Sequence, residues 1–381
     1  MKKILFIHSA GDLYGSGKIM LFAIDALIST GYSCHVYLPE EGPLVKELRS
    51  KGCKVNIMEL GILRRKYQNP IGLINRIFAL SRAIFKIGQM IKKENFDLVY
   101  SNTTAVLCGA IATKIYGVKH LWHIHEIIES PRIFAKFLGY MIQNFSDKAI
   151  AVSTPVKRHW DQLYSHDKSV IHIIYNGLPL KDFNISKSTL RNELQLGEND
   201  VVIGMVGRVH HWKGQGYFLE IANHLRKKHD NVKFVMVGDA FPGYEYIYDE
   251  LKEKKDQFSL NEVVYDLGFR KDIPNLLKGF DLFVLPSTLP DPLPTVVLEA
   301  MGMSLPVVAT KHGGALEMVV NEKTGIHIPW NDAEKAAQLI SPLVENQDRR
   351  LEYGRNGRVR LESEFSLPSF KNNIIQSVSD V

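Results

Sequence analysis

Cysteine is scarce in this chain: Cys34, Cys53 and Cys108 are scattered through 381 residues without the spacing of metal ligands. Each lies in or beside an apolar run, which predicts small buried side chains and fits a reducing compartment. No apolar run approaches the length that spans a bilayer. The first apolar run ends after Ile7 with no cleavage site following, so it predicts a strand rather than a signal peptide.

The complete phosphate-binding motifs are also missing. The turn Gly15-Ser16-Gly17-Lys18 resembles a P-loop, but Asp12 and Ile19 occupy the positions where that motif needs Gly and Ser or Thr. A dinucleotide fingerprint would need glycine at Met20. What remains is a strand, a glycine turn and a helix N-terminus with free N–H groups.

The composition is that of a globular protein, with 45% hydrophobic and 23% charged residues. A chain of 381 residues predicts two α/β domains rather than one core. The net charge of +6 suits anionic ligands or a membrane surface, and is not by itself a nucleic-acid signature.

Short Val- and Ile-rich strands alternate with helical segments along the whole chain. Their near-continuous apolar runs are typical of parallel strands buried on both faces, which predicts two doubly wound domains facing a cleft. A polar, turn-rich stretch over 178–201 is interpreted as the linker. Ligands of such sheets bind at the C-terminal strand ends, where four polar residues stand: His8, His125, Arg208 and Asp239.

The stretch GMVGRVHHWKGQG places two cations around one predicted pocket mouth. Arg208 ends a strand, and Lys213-Gly214 is expected to open the next helix. Two fixed cations beside a helix dipole suit a diphosphate. The alternative is a pair of ordinary surface cations on a loop.

The stretch LPSTLPDPLPTVVLEAMG holds two carboxylates, Asp291 before a helix expected over about 295–301 and Glu299 on it. Carboxylates accept two hydrogen bonds and suit sugar hydroxyls, although a dipole charge and a solvated side chain would look the same. Gly313-Gly314 then precedes another helix and is expected to direct N–H groups at an anion.

Histidines end the strand HLWHIHE. His125 stands at the strand end, where a functional role is favoured. His123 points to the same face but deeper, and is interpreted as a packed core histidine.

Taken in order, these pieces resemble the retaining glycosyltransferases of family 4, which have the GT-B fold. The matching segments cover nearly the whole chain: the early glycine turn, HIHE, AVST, IIYNG, VGRVHHWKG, VGD, LGF, PSTLPDPLPTVVLEAMGMSLPVVAT and HGGALEMV. The resemblance implies Rossmann-like domains over 1–178 (acceptor) and 179–360 (donor), with a helix over 361–381 crossing back to the first.

The resemblance also implies roles for individual residues. Arg208 and Lys213 would hold the donor diphosphate, His125 would lie near the reacting centre, and Asp291 would touch the donor sugar. Most of the family has Glu at the position of Asp291, followed by Pro-Phe-Gly rather than Pro-Leu-Pro. The implied donor-binding residues are Gly15, Ser16, Gly207, Asp239, Phe269, Arg270, Thr295, Val296 and Glu299, with the backbone of Gly268 and Phe269 reading the nucleobase.

The expected activity is transfer of a hexose from a nucleotide-diphosphate sugar, with UDP favoured, to a glycan or lipid-linked acceptor with retention. No two aspartates stand two residues apart, so the metal-binding Asp-x-Asp pair is missing and no metal or other cofactor is expected. The expected setting is cytoplasmic assembly of a surface polysaccharide such as lipopolysaccharide, with no nucleic-acid partner.

Three other interpretations remain open. A nucleotide-sugar 2-epimerase of this fold usually carries extra cleft carboxylates and histidines. A phosphorylase needs a pyridoxal lysine, and no segment resembles that site. A non-catalytic sugar-binding protein is disfavoured by the missing signal peptide and by the Arg208 and Lys213 pair.

The stretch from Arg64 to Lys93 contains no acidic residue. A helix here would carry an apolar stripe that includes Ile74, Phe78, Ile84 and Ile91, with Arg76, Arg82, Lys86 and Lys92 elsewhere. Such a helix suits an anionic bilayer or a lipid-diphosphate acceptor. A core helix with a basic outer face has the same pattern, and is slightly favoured for the apolar stripe.

Overall fold

The computed structural model describes residues 2–13, 15–62, 70–164 and 169–381, and divides the chain into two compact units. The first unit comprises Met1–Gly177 with Leu367–Val381, and the second comprises Leu178–Ser366. Leu178 and residues 361–366 therefore lie in the second unit, whereas the expected division assigned Leu178 to the first domain and 361–366 to the returning helix. Arg64, the start of the acid-free stretch, lies outside the described residues.

In the described part of the first unit, seven parallel strands form one sheet in the order β3-β2-β1-β4-β5-β6-β7. The strands are β1 (Lys3–His8), β2 (Ser33–Leu38), β3 (Lys54–Ile57), β4 (Leu98–Asn102), β5 (Lys119–Ile124), β6 (Lys148–Ala151) and β7 (Ile171–Ile173). The helices between them are α1 (Gly15–Ser29), α2 (Pro43–Ser50), α3 (Pro70–Glu94), α4 (Leu107–Tyr116), α5 (Arg132–Phe145) and α6 (Thr154–Leu163).

In the second unit the sheet has six parallel strands in the order β10-β9-β8-β11-β12-β13. In chain order its elements are α7 (Leu190–Glu193), β8 (Val201–Val206), α8 (Gln215–Arg226), β9 (Val232–Val237), α9 (Tyr246–Gln257), β10 (Val264–Asp266), α10 (Ile273–Gly279), β11 (Leu282–Leu285), α11 (Thr295–Gly302), β12 (Val307–Thr310), α12 (Ala315–Met318), β13 (Gly325–Ile328), α13 (Ala333–Glu345) and α14 (Gln347–Glu364). The chain then returns to the first unit as α15 (Leu367–Ser379).

Local sequence explains several helix boundaries. Pro43 stands in the first turn of α2, where its missing N–H costs no hydrogen bond. The side chains of Ser153, Asp332 and Asn346 accept hydrogen bonds from the first-turn N–H groups of α6, α13 and α14. Gly117 ends α4 in the left-handed conformation, with a φ of 71°.

The central strands of both sheets are apolar because helices cover both of their faces. In the first unit, Phe6 stacks on Tyr100 with ring centroids 4.5 Å apart. The core on that side of the sheet also contains Phe370 and Ile374 of α15, which packs against α1. The three cysteines are buried and free, as the sequence predicted.

The predicted linker is instead bonded into the second unit. The Thr189 N–H donates to Asn275 Oδ1 at 2.9 Å, and Ser188 Oγ donates to the Asn275 carbonyl at 2.7 Å. Arg191 forms an ion pair with Asp281 at 2.5 Å. Polar, turn-rich composition indicated a loop, but these polar groups serve tertiary contacts that the composition does not reveal.

Helix α3 has two apolar faces rather than one stripe. Ala83, Ile87 and Ile91 are buried in the core of the first unit, whereas Ile74 and Phe78 are 56% and 62% exposed. Within the described residues, no helix is both long enough and apolar enough to cross a membrane.

Candidate active site

In the second unit, the predicted site residues gather where the strand order reverses. Strand β8 lies between β9 and β11, and the chain leaves β8 toward β9 but later enters β11 on the other side. The loops after such a pair of strands diverge and leave a ligand-binding crevice. Gly207 and Arg208 follow β8, and Asp291 follows β11.

An ion pair joins these two loops. Lys213 Nζ lies 2.5 Å from Asp291 Oδ2, and Ser287 Oγ donates to the same carboxylate oxygen at 3.3 Å. The side chains are 18% and 9% exposed, so the pair is largely shielded from water. Lys213 Nζ also lies 4.1 Å from the centroid of the Trp212 ring. A carboxylate and an aromatic face therefore fix the position of this ammonium group.

Glycine at position 214 brings Lys213 close to the β11 loop. Lys213 ends a short 3-10 turn, and α8 begins only at Gln215, so the expectation that Lys213 and Gly214 open the helix was wrong. Gly214 adopts the left-handed conformation with a φ of 80°, and a Cβ there would lie 1.9 Å from the Pro286 carbonyl oxygen. Only glycine permits both this turn and this approach.

The Gly313-Gly314 turn supports the Asp291 loop. The Gly314 N–H donates to the Asp291 carbonyl at 2.8 Å, and a Cβ on Gly313 would lie 2.4 Å from that oxygen. The expectation that this turn directs its N–H groups at an anion was therefore wrong for Gly314. Its glycines allow one loop backbone to lie against another.

Arg208 lies on the same loop as Lys213, and its guanidinium packs over an aromatic ring. Its Cζ is 3.2 Å from the centroid of Phe241, and its carbonyl accepts from Gln215 Nε2 at 2.9 Å. The neighbouring Gly207 N–H donates to the Val237 carbonyl at 2.9 Å, which continues the β8–β9 ladder. Arg208 is half-buried, so its guanidinium is partly accessible.

Asp239 and Phe269 stand at the ends of the next two strands. Asp239 is exposed, accepts from the Tyr248 hydroxyl, and its carbonyl accepts from the Val209 N–H at 3.0 Å. Phe269 is 56% exposed. The preceding Gly268 carbonyl accepts from the Gly238 N–H at 2.9 Å, which joins the loops after β9 and β10.

Arg270 is held by two carboxylates. Its Nε and one terminal nitrogen each donate to Asp272 at 2.8 Å, and Glu193 accepts at 2.6 Å and 3.2 Å. These hydrogen bonds raise the pKa of Arg270 and lower that of Asp272. The guanidinium thus connects α7, which lies within the predicted linker, with the start of α10.

Three predicted donor-binding residues lie on α11. Thr295 and Val296 form its first turn after Pro294, and Glu299 follows one turn later; all three side chains are half-buried. A helix N-terminus with free N–H groups favours negative charge.

In the first unit, the order also reverses between β1 and β4, where His8 pairs in register with Asn102. Asn102 Nδ2 lies 3.0 Å from His8 Nδ1 and 3.2 Å from the Ser16 carbonyl. Asn102 Oδ1 lies 3.0 Å from His125 Nε2. One amide therefore connects His8, Ser16 and His125, whereas the neighbouring Gly15 starts α1 exposed.

His123 completes what we call the histidine cluster: His8, Asn102, His123 and His125. The imidazoles of His123 and His125 lie 4.2 Å apart, and His123 Nδ1 is 2.7 Å from the Tyr100 hydroxyl. His123 is fully buried, as the packed interpretation predicted, but among the described residues its Nε2 has no hydrogen-bond partner.

Burial keeps the imidazoles of the cluster neutral. It lowers the pKa of His8 to about 4 and that of His123 to about 3. Burial, with His123 and His8 nearby, lowers the pKa of His125 well below its ordinary value.

The carboxylate next to the cluster faces the backbone. Glu126 Oε2 accepts from the N–H groups of Thr104 and His125, each at 3.1 Å, and burial raises the pKa of Glu126. It therefore fixes the strand end on which His125 stands.

Sequence reasoning missed Asn102. It ends β4 in the same way as His8 ends β1, so the rule that located His8 at a strand end could have located Asn102 as well. The structure thus brings Lys213 together with Asp291, and His125 together with Ser16.

Comparisons with known proteins agree with this architecture. The sequence model "Glycosyltransferase Family 4" matches residues 15–182, and "Glycosyl transferases group 1" matches residues 186–360. UDP-Gal:alpha-D-GlcNAc-diphosphoundecaprenol alpha-1,3-galactosyltransferase of Escherichia coli is 28% identical over 92% of this chain and 89% of its own. The capsular polysaccharide biosynthesis glycosyltransferase CapM of Staphylococcus aureus is 25% identical over 84% and 88%.

A solved structure extends the likeness to the fold. Anabaena HepE in complex with UDP is 25% identical, with a TM-score of 0.87 over 100% of both chains. Two parallel-sheet Rossmann-like units are the two domains of the GT-B fold. The chain belongs to the GT-B glycosyltransferases.

Proposed function

We propose that this glycosyltransferase transfers a hexose from a UDP-sugar to a glycan carried on a lipid diphosphate, with retention and without a metal ion. The observation that carries the proposal is the Lys213 ammonium fixed by Asp291 at the reversal of strand order, on the loop after β8 that also carries Arg208. The Escherichia coli relative is named for a UDP-Gal donor and a diphosphoundecaprenol acceptor. HepE has been solved with UDP and with UDP-glucose.

Sugar transfer requires stabilisation of a leaving diphosphate. The bond from the sugar C1 to the β-phosphate oxygen breaks while the sugar becomes oxocarbenium-like, so negative charge grows on the phosphate. Arg208 and Lys213 supply positive charge, and the first turns of α8 and α11 supply oriented N–H groups. These groups take the role that a bound cation has in metal-dependent transferases.

The other contacts of the donor follow from side-chain chemistry. Glu299 would accept hydrogen bonds from the ribose hydroxyls, and Asp291 would orient Lys213 and reach the sugar through its remaining oxygen. Gly15 and Ser16 would present the first N–H groups of α1 to the donor. The exposed Phe269 and the backbone at Gly268 would meet the uracil, while Arg270 would hold their loop.

Retention follows if the acceptor attacks from the face that the diphosphate leaves. The acceptor oxygen then bonds to C1, and its proton moves to the departing phosphate oxygen. His125 is neutral and hydrogen-bonded within the histidine cluster, which suits sugar recognition better than proton abstraction.

We propose that helix α3 of the first unit, which would bind the acceptor, contacts an anionic membrane. Ile74, Ile77, Phe78 and Phe85 of α3 are each more than half exposed, and Arg82 and Lys86 are exposed on the same helix. Apolar and basic residues on one exposed helix suit a bilayer surface. Arg76 forms an ion pair with Glu59 at 2.7 Å, so it is a weaker candidate than the sequence suggested. The buried free cysteines fit a cytoplasmic location.

Product analysis tests the proposed reaction directly. The protein is incubated with UDP-glucose, UDP-galactose and UDP-N-acetylglucosamine, with and without a polyprenyl-diphosphate-linked N-acetylglucosamine and with and without EDTA. We expect UDP release that needs the acceptor, resists EDTA and gives an α-linked product. Activity lost in EDTA and restored by manganese would contradict metal independence, and a free epimerised UDP-sugar would instead indicate an epimerase.

A further inference from the structure

Asn102 holds a central position in the histidine cluster. It lies within hydrogen-bond distance of His8, His125 and the Ser16 carbonyl, and it is fully buried. All three contacts are made by the side-chain amide and lie outside the hydrogen-bond ladder of the sheet.

The orientation of the amide is fixed by the Ser16 carbonyl. A carbonyl oxygen only accepts hydrogen bonds, so the Asn102 atom 3.2 Å from it must be the NH₂ group. The same NH₂ group lies 3.0 Å from His8 Nδ1. The other end of the amide, Oδ1, therefore points toward His125.

The amide orientation in turn determines where the His125 proton lies. Asn102 Oδ1 is 3.0 Å from His125 Nε2 and can only accept, so Nε2 carries the hydrogen. A neutral imidazole has one protonated nitrogen, which leaves a lone pair on Nδ1. A 180° flip of the His125 ring would put a carbon in place of Nε2 and lose this bond, while the tilted contact with His123, with ring centroids 4.2 Å apart, restricts other ring orientations.

The backbone after Asn102 shows that this placement is tightly enforced. Thr103 has a φ of 85°, a strained conformation for a β-branched residue. Its carbonyl accepts from Trp122 Nε1 at 2.8 Å, and its N–H donates to the His123 carbonyl at 2.9 Å. Such strain persists only where the surrounding contacts over-determine the conformation.

We infer that Asn102 is a positioning residue: it holds His125 as the Nε2–H tautomer, so that His125 Nδ1 accepts a hydrogen bond from a hydroxyl of the transferred sugar. A lone pair at Nδ1 repels anionic phosphate oxygens and selects a donor group, which sugar hydroxyls provide. The assignment of the ligand as a sugar rests on the proposed function. The assignment of the tautomer does not.

The tautomer is measured without any substrate. In ¹⁵N-histidine-labelled full-length protein, long-range ¹H–¹⁵N spectra identify which nitrogen of each neutral imidazole carries hydrogen, and loss of signals in His125→Gln assigns His125. We expect a protonated Nε2 in the wild type and a mixture of tautomers in Asn102→Ala. A protonated Nδ1, or an unchanged single tautomer in Asn102→Ala, would overturn the inference.

The pH dependence of kcat separates positioning from a purely structural role. In Asn102→Asp the new carboxylate still accepts from Nε2 but stabilises imidazolium, which has no lone pair. We expect kcat to fall about tenfold at low pH, which is the effect of losing one hydrogen bond. The kcat should recover as pH rises. The kcat of Asn102→Ala should fall by a similar factor at every pH.

The two possible failures can be told apart. A pH-independent loss in Asn102→Asp, with a normally folded protein by circular dichroism, would overturn the positioning role. If the tautomer is found as expected but His125→Gln transfers sugar normally, Nδ1 does not contact the sugar and the inference is equally overturned. Lack of any sugar transfer by the wild type would instead remove the proposed function and leave the measured tautomer standing.

Discussion

Lys213 and Asp291, 78 positions apart in the chain, meet as an ion pair with Nζ 2.5 Å from Oδ2. The pair joins the loop after β8 to the loop after β11, and glycine at position 214 is what allows the close approach. In the proposed reaction, the carboxylate holds the ammonium in place before the diphosphate arrives. Such preorganisation means that little rearrangement is needed as charge develops.

Replacing Lys213 should affect stability and turnover separately. Lys213→Met leaves the Asp291 carboxylate buried beside Ser287 alone, which should lower the free energy of unfolding by about 3 kcal/mol. Turnover should fall by about 100-fold or more because a phosphate counter-charge is lost. Urea unfolding and initial rates of UDP release measure the two effects.

The double variant Lys213→Met with Asp291→Asn is the matched control. It removes both charges together, so most of the lost stability should return while turnover stays low. Near-normal turnover in either variant would refute the role of Lys213 at the diphosphate.

Glu299→Gln should weaken nucleotide binding. The substitution keeps the shape of the side chain but removes the charge that strengthens hydrogen bonds to the ribose, so the Kd for UDP should rise about tenfold. Isothermal titration with UDP measures this change. Glu334→Gln, an exposed position on α13, should bind UDP as the wild type does. Equal affinity in all three proteins would remove Glu299 from the site.

Charge reversal on α3 should weaken binding to anionic vesicles. Each exposed cation near such a surface contributes about 1 kcal/mol, so Arg82→Glu with Lys86→Glu should lower the partition coefficient at least about 20-fold. Flotation with phosphatidylglycerol vesicles measures this. Lys227→Glu with Lys228→Glu makes the same charge change on the second unit and should have little effect. Equal losses in both double variants would indicate a diffuse charge effect rather than a surface on α3.

Acidification should destabilise the protein through its buried histidines. His8 and His120 have pKa values lowered to about 4, and His123 to about 3, because burial disfavours the imidazolium. The unfolded chain binds protons near pH 6.5 while the folded chain does not, so stability is full above pH 6.5 and falls as pH drops toward 4. Between pH 6.5 and 5, each of these histidines should lower the free energy of unfolding by about 2 kcal/mol.

One substitution isolates this effect. His123→Phe keeps a flat ring against Phe370 and His125, and should reduce the stability difference between pH 7 and pH 5 by about 2 kcal/mol. Tyr100→Phe removes the hydroxyl that contacts His123 but retains every histidine, so it should preserve most of the difference. An unchanged difference in His123→Phe would contradict the neutral buried state.

The strands were predictable because each is a short apolar run that helices must cover on both sides. The rule that ligands bind at strand ends located His8, His125 and Arg208 correctly at the C-terminal ends of their strands. The match to the GT-B fold confirmed the architecture that the resemblance implied. The local hydrophobic pattern predicted the strands, and a general topological rule placed these residues at the strand ends.

Contacts between distant loops were not predictable in the same way. Lys213 and Asp291 were each singled out, but no local signal shows that they form an ion pair. Asn102 was missed because an amide at a strand end carries no charge or reactive group to attract attention. Gly314 was assigned to anion binding, since a glycine that packs against a backbone and one that binds phosphate look alike in sequence.

Helix α15 has a consequence for biosynthesis. Phe370, Ile374 and Val378 complete the core of the first unit, yet they are synthesised only after the whole second unit. On the ribosome, part of the apolar interior of the first unit therefore stays uncovered while the second unit can already fold. The α1 side of the sheet therefore stays open to solvent throughout synthesis of the second unit, and it closes only when those three side chains dock.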